Sequence, residues 1–205
     1  MPRIEALTLK IKLEGEEKRI VFNRLKAALE GMAKYVIREA RVILEQQDKV
    51  VTGNLRDSLR YEISTGADET SISFDAGAPY WDFVNQGIKG ASDSSKAPNS
   101  DYQFGTGNFV GQGTLKGGID KWVIQKPIEG VRDKKTGRFV PRKQMVRMIS
   151  NKIWNYGIAP SEYYTLALDN GWKTYKKRMG VAIGLDVSDF MEENYDGDID
   201  ITIEI

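Results

Sequence analysis

The sequence predicts an α+β fold: a small, mostly antiparallel sheet packed by a long N-terminal helix, with C-terminal helices and a C-terminal strand. Three patterns predict it. In residues 7–13, Leu7, Leu9, Ile11 and Leu13 alternate with Thr8, Lys10 and Lys12. In residues 199–205, Ile199, Ile201, Ile203 and Ile205 alternate with Asp200, Thr202 and Glu204. A period of two is that of a half-buried strand. Between them, Val21, Leu25, Ala28, Leu29, Met32, Val36, Ala40, Ile43 and Leu44 recur at three- and four-residue steps, the apolar stripe of a helix.

Taken in order, Gly15 ends the first strand and the helix is expected over residues 16–47, with Lys26, Glu30, Lys34, Arg38 and Arg41 on its polar face. Thr52 is placed to cap a short helical turn through Asn54, Leu55 and Ser58. RYEIS (60–64) and SISFDA (71–76), joined by TGADET, read as a hairpin. Pro79 opens a short helical segment with Tyr80, Trp81, Phe83 and Val84, and Gly87 closes it. Residues 88–118 shift to Gly, Ser, Asn and Asp and read as a long arm, a length uncommon in a compact domain and usually functional. A short helix ended by Pro127 and a basic hairpin turning at Thr136-Gly137 follow. Met145, Met148, Ile149, Ile153 and Trp154 mark a helix over residues 141–156, stopped by Gly157. Ser161 is placed to cap the last helix, which Gly171 and Gly180 are expected to bend or break. No internal repeat is visible. The chain therefore reads as one domain, with its core in residues 4–87 and 141–205 and an insertion, 88–140, made of the arm and the hairpin.

The 205 residues carry a formal charge of +1, with no histidine and no cysteine. A near-neutral chain does not bind nucleic acid through bulk charge. Without His or Cys there is no Ser-His-Asp triad, Cys-His dyad, disulfide or thiolate metal site. The first fifteen residues mix charged and apolar positions, which predicts no signal peptide, and no run is long and apolar enough to span a bilayer. The expectation is a protein made for the cytosol, with no membrane partner. The charges are uneven. Residues 132–147 hold Arg132, Lys134, Lys135, Arg138, Arg142, Lys143 and Arg147 against Asp133 alone. Residues 179–205 hold eight Asp and Glu and no Lys or Arg. Such blocks are either solvated faces or surfaces by which copies of the chain attract head to tail.

Motifs for chemistry are weak. FGTGNFVGQGTLKGG (104–118) spaces Gly105, Gly107 and Gly111 one residue too widely for a dinucleotide fingerprint, and no strand precedes it. Asp196, Asp198 and Asp200 resemble the start of a calcium loop, but Gly197 falls at the wrong position and no glutamate follows at the right one. Asp75, Asp82 and Asp169 could serve magnesium only if the fold gathered them. The expectation is no catalytic residue, no cofactor and no metal. Tyr80, Trp81, Phe83, Tyr102, Phe104 and Phe109, near Lys89 and Lys96, could stack on bases; the competing reading makes them core residues and protein–protein anchors.

Three segments in sequence order carry a family resemblance: TGNLRDS, YWDFVNQG and the run from Pro160 to Leu168. Together they resemble the tail-completion (head–tail joining, or neck) proteins of tailed bacteriophages. In that family a T-G-x-L-x-x-S segment follows the first helix. A Y-A-x-x-x-E-x-G-like segment follows the hairpin, and a Pro-aromatic-x-x-x-A-Leu segment opens the last helix. Thr52, Gly53, Leu55 and Ser58 match the first. Tyr80 through Gly87 match the second, with Trp81 in place of the small residue and Gln86 at the acidic position. Pro160, Tyr163, Tyr164, Ala167 and Leu168 match the third.

The resemblance implies a non-enzymatic virion subunit that closes into a ring and contacts the portal or connector-adaptor on one side and tail proteins on the other. DNA would pass through the ring lumen without specific binding. In such a motif Leu55 and Leu59 are buried and Arg56 and Arg60 face outward. The residues expected at subunit contacts are Arg56, Arg60, Tyr102, Phe104, Phe109, Lys134, Lys135 and Arg138. The alternative is a nucleic-acid-binding module using the basic hairpin and the arm aromatics.

Overall fold

The long helix begins later than its periodicity predicts. In the computed structural model, which describes residues 10–13, 16–65, 70–105, 112–126, 132 and 136–194, Glu16–Arg19 is a strand (β2). It pairs antiparallel with Lys10–Leu13 (β1), Leu13 opposite Glu16 and Lys10 opposite Arg19. The tetrapeptide EEKR contributes nothing to the apolar stripe, so no buried face holds it to the helix. Helix α1 then runs Asn23–Gln46. The expected strand over 199–205, together with Phe109, Lys134 and Lys135, lies outside the described residues.

The architecture is α+β: among the described residues there are six helices and two two-stranded antiparallel sheets. After α1 come α2 (Asn54–Ser58), β3 (Leu59–Thr65), β4 (Thr70–Ala76) and α3 (Trp81–Gln86). Helices α4 (Gln112–Gln125), α5 (Arg142–Tyr156) and α6 (Tyr163–Asn194) follow. The chain divides into two compact units, one of Met1–Ile43, Arg56–Gly77 and Tyr164–Ile205, the other of Leu44–Leu55 and Ala78–Tyr163.

In the first unit α1 buries Leu25, Ala28, Leu29, Met32, Ala33, Val36 and Ala40, whereas Val21, on the predicted stripe but ahead of the helix, is 68% exposed. The β3–β4 register sets Leu59 opposite Ala76, Tyr61 opposite Phe74 and Ile63 opposite Ile72. That alternation turns Leu59, Ile72, Phe74 and Ala76 inward. Phe74 meets Tyr164 of α6 edge to face, centroids 5.8 Å apart. Neither Gly171 nor Gly180 breaks α6, which is continuous over 32 residues. Gly171 is there for space: a Cβ on it would sit 2.6 Å from Val36 Cγ2. The N-terminus of α1 is capped from α6. The Asp186 carboxylate accepts the amides of Arg24 (3.0 Å) and Leu25 (2.9 Å), so a carboxylate expected in an exposed acidic block is buried at the positive end of a helix.

In the second unit the end of α1 is closed by a Schellman motif: Lys49 N–H donates to the Leu44 carbonyl, Asp48 N–H to that of Glu45, and Asp48 takes φ +53°. Residues 88–105 are not a free arm. Helices α3 and α5 each end in a glycine of nearly the same conformation, Gly87 (φ +72°, ψ −172°) and Gly157 (φ +74°, ψ −171°). The isoleucines that follow exchange backbone hydrogen bonds, Ile88 N–H to Ile158 O at 2.9 Å and the reverse at 2.8 Å. Ala91 donates to the Trp154 carbonyl, Ser92 and Asp93 to that of Asn155, and Phe104 to that of Lys89. Ser100 Oγ donates to the Gly87 carbonyl at 2.7 Å. Composition predicted a loop here because, apart from that of Ser100, these bonds join backbone to backbone, which side-chain type does not report.

Helix α4 takes up residues 112–118 of the expected arm and joins them to the short helix expected before Pro127. Gly113, Gly117 and Gly118 lower its propensity, but Leu115, Ile119, Trp122 and Val123 at i, i+4, i+7 and i+8 give it a half-buried face, and it packs on α5. Arg132 and Phe139 form an antiparallel bridge with Gly137 at φ +66°, consistent with the expected turn. Ser161 does not cap α6; its hydroxyl and its amide both donate to the Val84 carbonyl at the end of α3.

Candidate functional site

The three family segments are joints of the fold, and they converge on α3. At the first, Thr52 Oγ1 accepts the Asn54 amide at 3.4 Å, and buried Gly53 takes φ +79°, a left-handed turn that glycine makes without strain. Leu55 and Leu59 are buried, as the resemblance implies. Asn54 Nδ2 then donates to Tyr80 Oη at 3.3 Å, tying the first segment to the second. The third reaches the second through Tyr163, which has no exposed surface and donates its hydroxyl to the Trp81 carbonyl at 3.5 Å. Burial pushes the Tyr163 phenol well above its ordinary acidity range. Ser161 and Glu162 amides occupy the Val84 and Asn85 carbonyls that the short α3 leaves open. The acidic position of the family segment, assigned above to Gln86, falls on Asn85 when counted from Tyr80, and it is Asn85 that is buried.

Tyr102 is half-buried rather than extended on an arm. Its hydroxyl donates to Asp82 Oδ2 at 2.7 Å, and its ring stands edge-on to Phe83 with centroids 4.4 Å apart. The bond to the Asp82 carboxylate, with burial and the carboxylate charge, pushes the Tyr102 phenol up to about 12. Phe104 is 3% exposed and lies on the Trp154 ring at 5.4 Å. The two arginines expected to face outward carry carboxylate partners of their own chain. Arg56 holds Asp57 at 2.7 Å, which lowers that carboxyl, and Arg60 pairs across the hairpin with Asp75. Arg138 is exposed.

Around these joints lies an apolar groove of about 370 Å³, lined by Tyr80, Phe83, Val84, Ile88, Phe104, Leu115, Ile158 and Ala159, with Lys49 as its charged member. Lys49, Ile88, Leu115 and Ile158 carried no motif. The one sequence signal was the four-residue echo Asn85-Gln86-Gly87-Ile88 and Asn155-Tyr156-Gly157-Ile158, far shorter than the roughly 20–50-residue periods of repeat architectures. The unit that holds the groove has fourteen Lys and Arg against nine Asp and Glu; the other has sixteen against twenty. Among the described residues, Arg138, Lys143, Arg147 and Lys152 meet no carboxylate. No group of three or more Asp and Glu among the described residues is placed to hold a metal, and no described helix is long and apolar enough to cross a membrane.

An apolar groove edged by aromatic side chains, on a unit with surplus positive charge, has the makeup of a protein-contact surface. Residues 12–87 match the family described as "Bacteriophage HK97-gp10, putative tail-component". The match runs from β1 through α1 and the β3–β4 hairpin to the Gly87 joint, is consistent with a phage tail-completion or head–tail joining family, and points to a non-enzymatic structural protein of a bacteriophage virion. The segment from Pro160 to Leu168 stands outside it. No curated protein and no solved structure matches the chain.

Proposed function

We propose that the protein is a subunit of the head–tail junction of a tailed bacteriophage, closing into a ring that joins the portal or connector-adaptor to the tail, with DNA passing through the lumen without specific binding. The tail-component match over residues 12–87 carries this reading. The charge division supports the ring: a ring needs two unlike faces that attract, and one unit is surplus in Lys and Arg, the other in Asp and Glu. The proposed subunit and partner contacts are Arg56, Arg60, Tyr102, Phe104, Phe109, Lys134, Lys135 and Arg138. Of these, Arg138 presents an exposed cation, whereas Phe104 would contribute as a wall of the groove.

Sedimentation and negative-stain imaging of the purified protein, alone and with connector and tail proteins, provide the test. A chain that stays monomeric at high concentration and joins neither partner overturns the proposal. A second reading, a nucleic-acid-binding module, is favoured by the cations of the second unit that meet no carboxylate. It requires DNA binding whose log K falls with log salt at about −0.9 per phosphate neutralised; no binding at low salt removes it.

A further inference from the structure

The apolar groove of the Ala78–Tyr163 unit has no occupant within the described residues, and the alternating isoleucines of residues 199–205 lie outside them. We propose that the groove of one copy receives residues 199–205 of a second copy, so that each subunit in the ring is held by its neighbour's tail. This rests on the ring reading above.

The groove is lined by Tyr80, Phe83, Ile88, Phe104, Leu115 and Ile158 and holds about 370 Å³, the lower end of the roughly 300–1,000 Å³ of small-ligand pockets. It takes side chains, not a folded element. In an extended segment, Ile199, Ile201, Ile203 and Ile205 fall on one face about 7 Å apart, and Asp200, Thr202 and Glu204 on the other. Such a segment offers an apolar edge to the groove and keeps its carboxylates in water. Charge selects the same occupant. Residues 195–205 carry Asp196, Asp198, Asp200 and Glu204 and no base, and the receiving unit has fourteen bases against nine acids, with Lys49 in the groove lining. Opposite potentials steer encounter and fix register. Groove and tail are different patches, so the contact is heterologous, the kind that propagates around a ring.

The chain has no cysteine, so introduced thiols report alone. Leu115→Cys and Ile203→Cys chains, made separately, mixed and treated with a short bis-maleimide, should give a covalent dimer well above either chain alone. Equal yields in the mixture and the single chains overturn the proposal. So does a double-cysteine chain that closes only on itself, which would mean the tail fills its own groove. In a second arm, a fluorescein-labelled peptide of residues 196–205 is titrated with full-length protein carrying Ile201→Asp and Ile203→Asp, whose own tail no longer competes. Saturable binding, weakened at least tenfold by Leu115→Glu, is expected; no binding, or no effect of Leu115→Glu, overturns the proposal. Imaging of the unaltered protein separates the two claims. Rings without tail cross-linking remove the tail contact alone. Monomers that join neither connector nor tail remove the ring reading, and with it this proposal.

Discussion

Two glycines with the same backbone sign should respond very differently to a methyl group. Gly157 and Gly137 have φ +74° and +66°. A Cβ at Gly137 meets nothing within 4 Å, whereas one at Gly157 would overlap the Ile88 carbonyl oxygen and crowd the Gly90 nitrogen at 2.6 Å. Gly137→Ala should therefore cost only the left-handed penalty, about 1–2 kcal/mol. Gly157→Ala must also push backbone off backbone, and should cost about 3 kcal/mol or more. Urea midpoints of the two variants check the contrast; equal losses would refute the steric account. Asp186 offers a second test, because its carboxylate serves two first-turn amides from a buried position. Asp186→Ala should lose about 2 kcal/mol or more, and Asp186→Asn distinctly less, since the amide keeps one acceptor.

Also at the residue scale, Tyr102 makes a prediction about alkaline pH. Its phenol is pushed up to about 12 in the fold, against 10.0 ordinarily, so the folded protein holds a proton that the unfolded chain releases first. The stability this contributes is intact below about pH 10 and is lost as the pH rises through about 12. Tyr163 shifts in the same direction, so both the parent and Tyr102→Phe should weaken over this window. The parent should weaken more steeply. Parallel urea midpoints between pH 8 and 11 would refute the Tyr102–Asp82 bond as the cause.

At the scale of the element, helical glycines divide by what faces them. Gly118 in α4 is exposed with open space around its missing Cβ, so Gly118→Ala should stabilise by about 0.5–1 kcal/mol through helix propensity. Gly171→Ala gains the same propensity, yet its Cβ would lie 2.6 Å from Val36 Cγ2. Overpacking of about 1–3 kcal/mol should reverse the sign, and thermal melts of the two variants decide it. This division also explains what was legible. Helices α1 and α5 and the β3–β4 hairpin declare themselves, because one face of each is apolar at the element's own period. By contrast, α6 reads as a helix but not as a continuous one, because Gly171 and Gly180 look like breaks. Helix α4 declares only its second half, the short helix expected before Pro127, because Gly113, Gly117 and Gly118 hide its start. The start of α1 does not declare itself, because EEKR has no apolar residue to assign it. The groove was illegible for another reason: Lys49, Phe83, Phe104, Leu115 and Ile158 come from five separated segments, and no local pattern reports their meeting. Phe104 was marked by its aromatic character, but its burial depends on Trp154, fifty residues away.

For the whole molecule, charge is the property that individual elements conceal. A formal total of +1 arises from two units of opposite sign, so near-neutrality here does not mean weak electrostatics. If copies associate through those unlike units, assembly should be fastest at low ionic strength and slow markedly as the screening length contracts from about 10 Å at 0.1 M salt to about 3 Å at 1 M. Light scattering across a salt series measures this, and salt-insensitive association would argue for a contact made without charge.

The paired bonds between Ile88 and Ile158 fasten together the two ends of everything between them. Closing a chain on itself costs only about 0.6 kcal/mol more for each doubling of the enclosed length. An exposed loop inside that clasp can therefore lengthen or shorten at little thermodynamic penalty while its two mounting points stay put. Within that span the Gly137 turn, where a side chain would meet open space, is the place free to vary. An engineer could graft a foreign epitope there, at the exposed Gly137 turn.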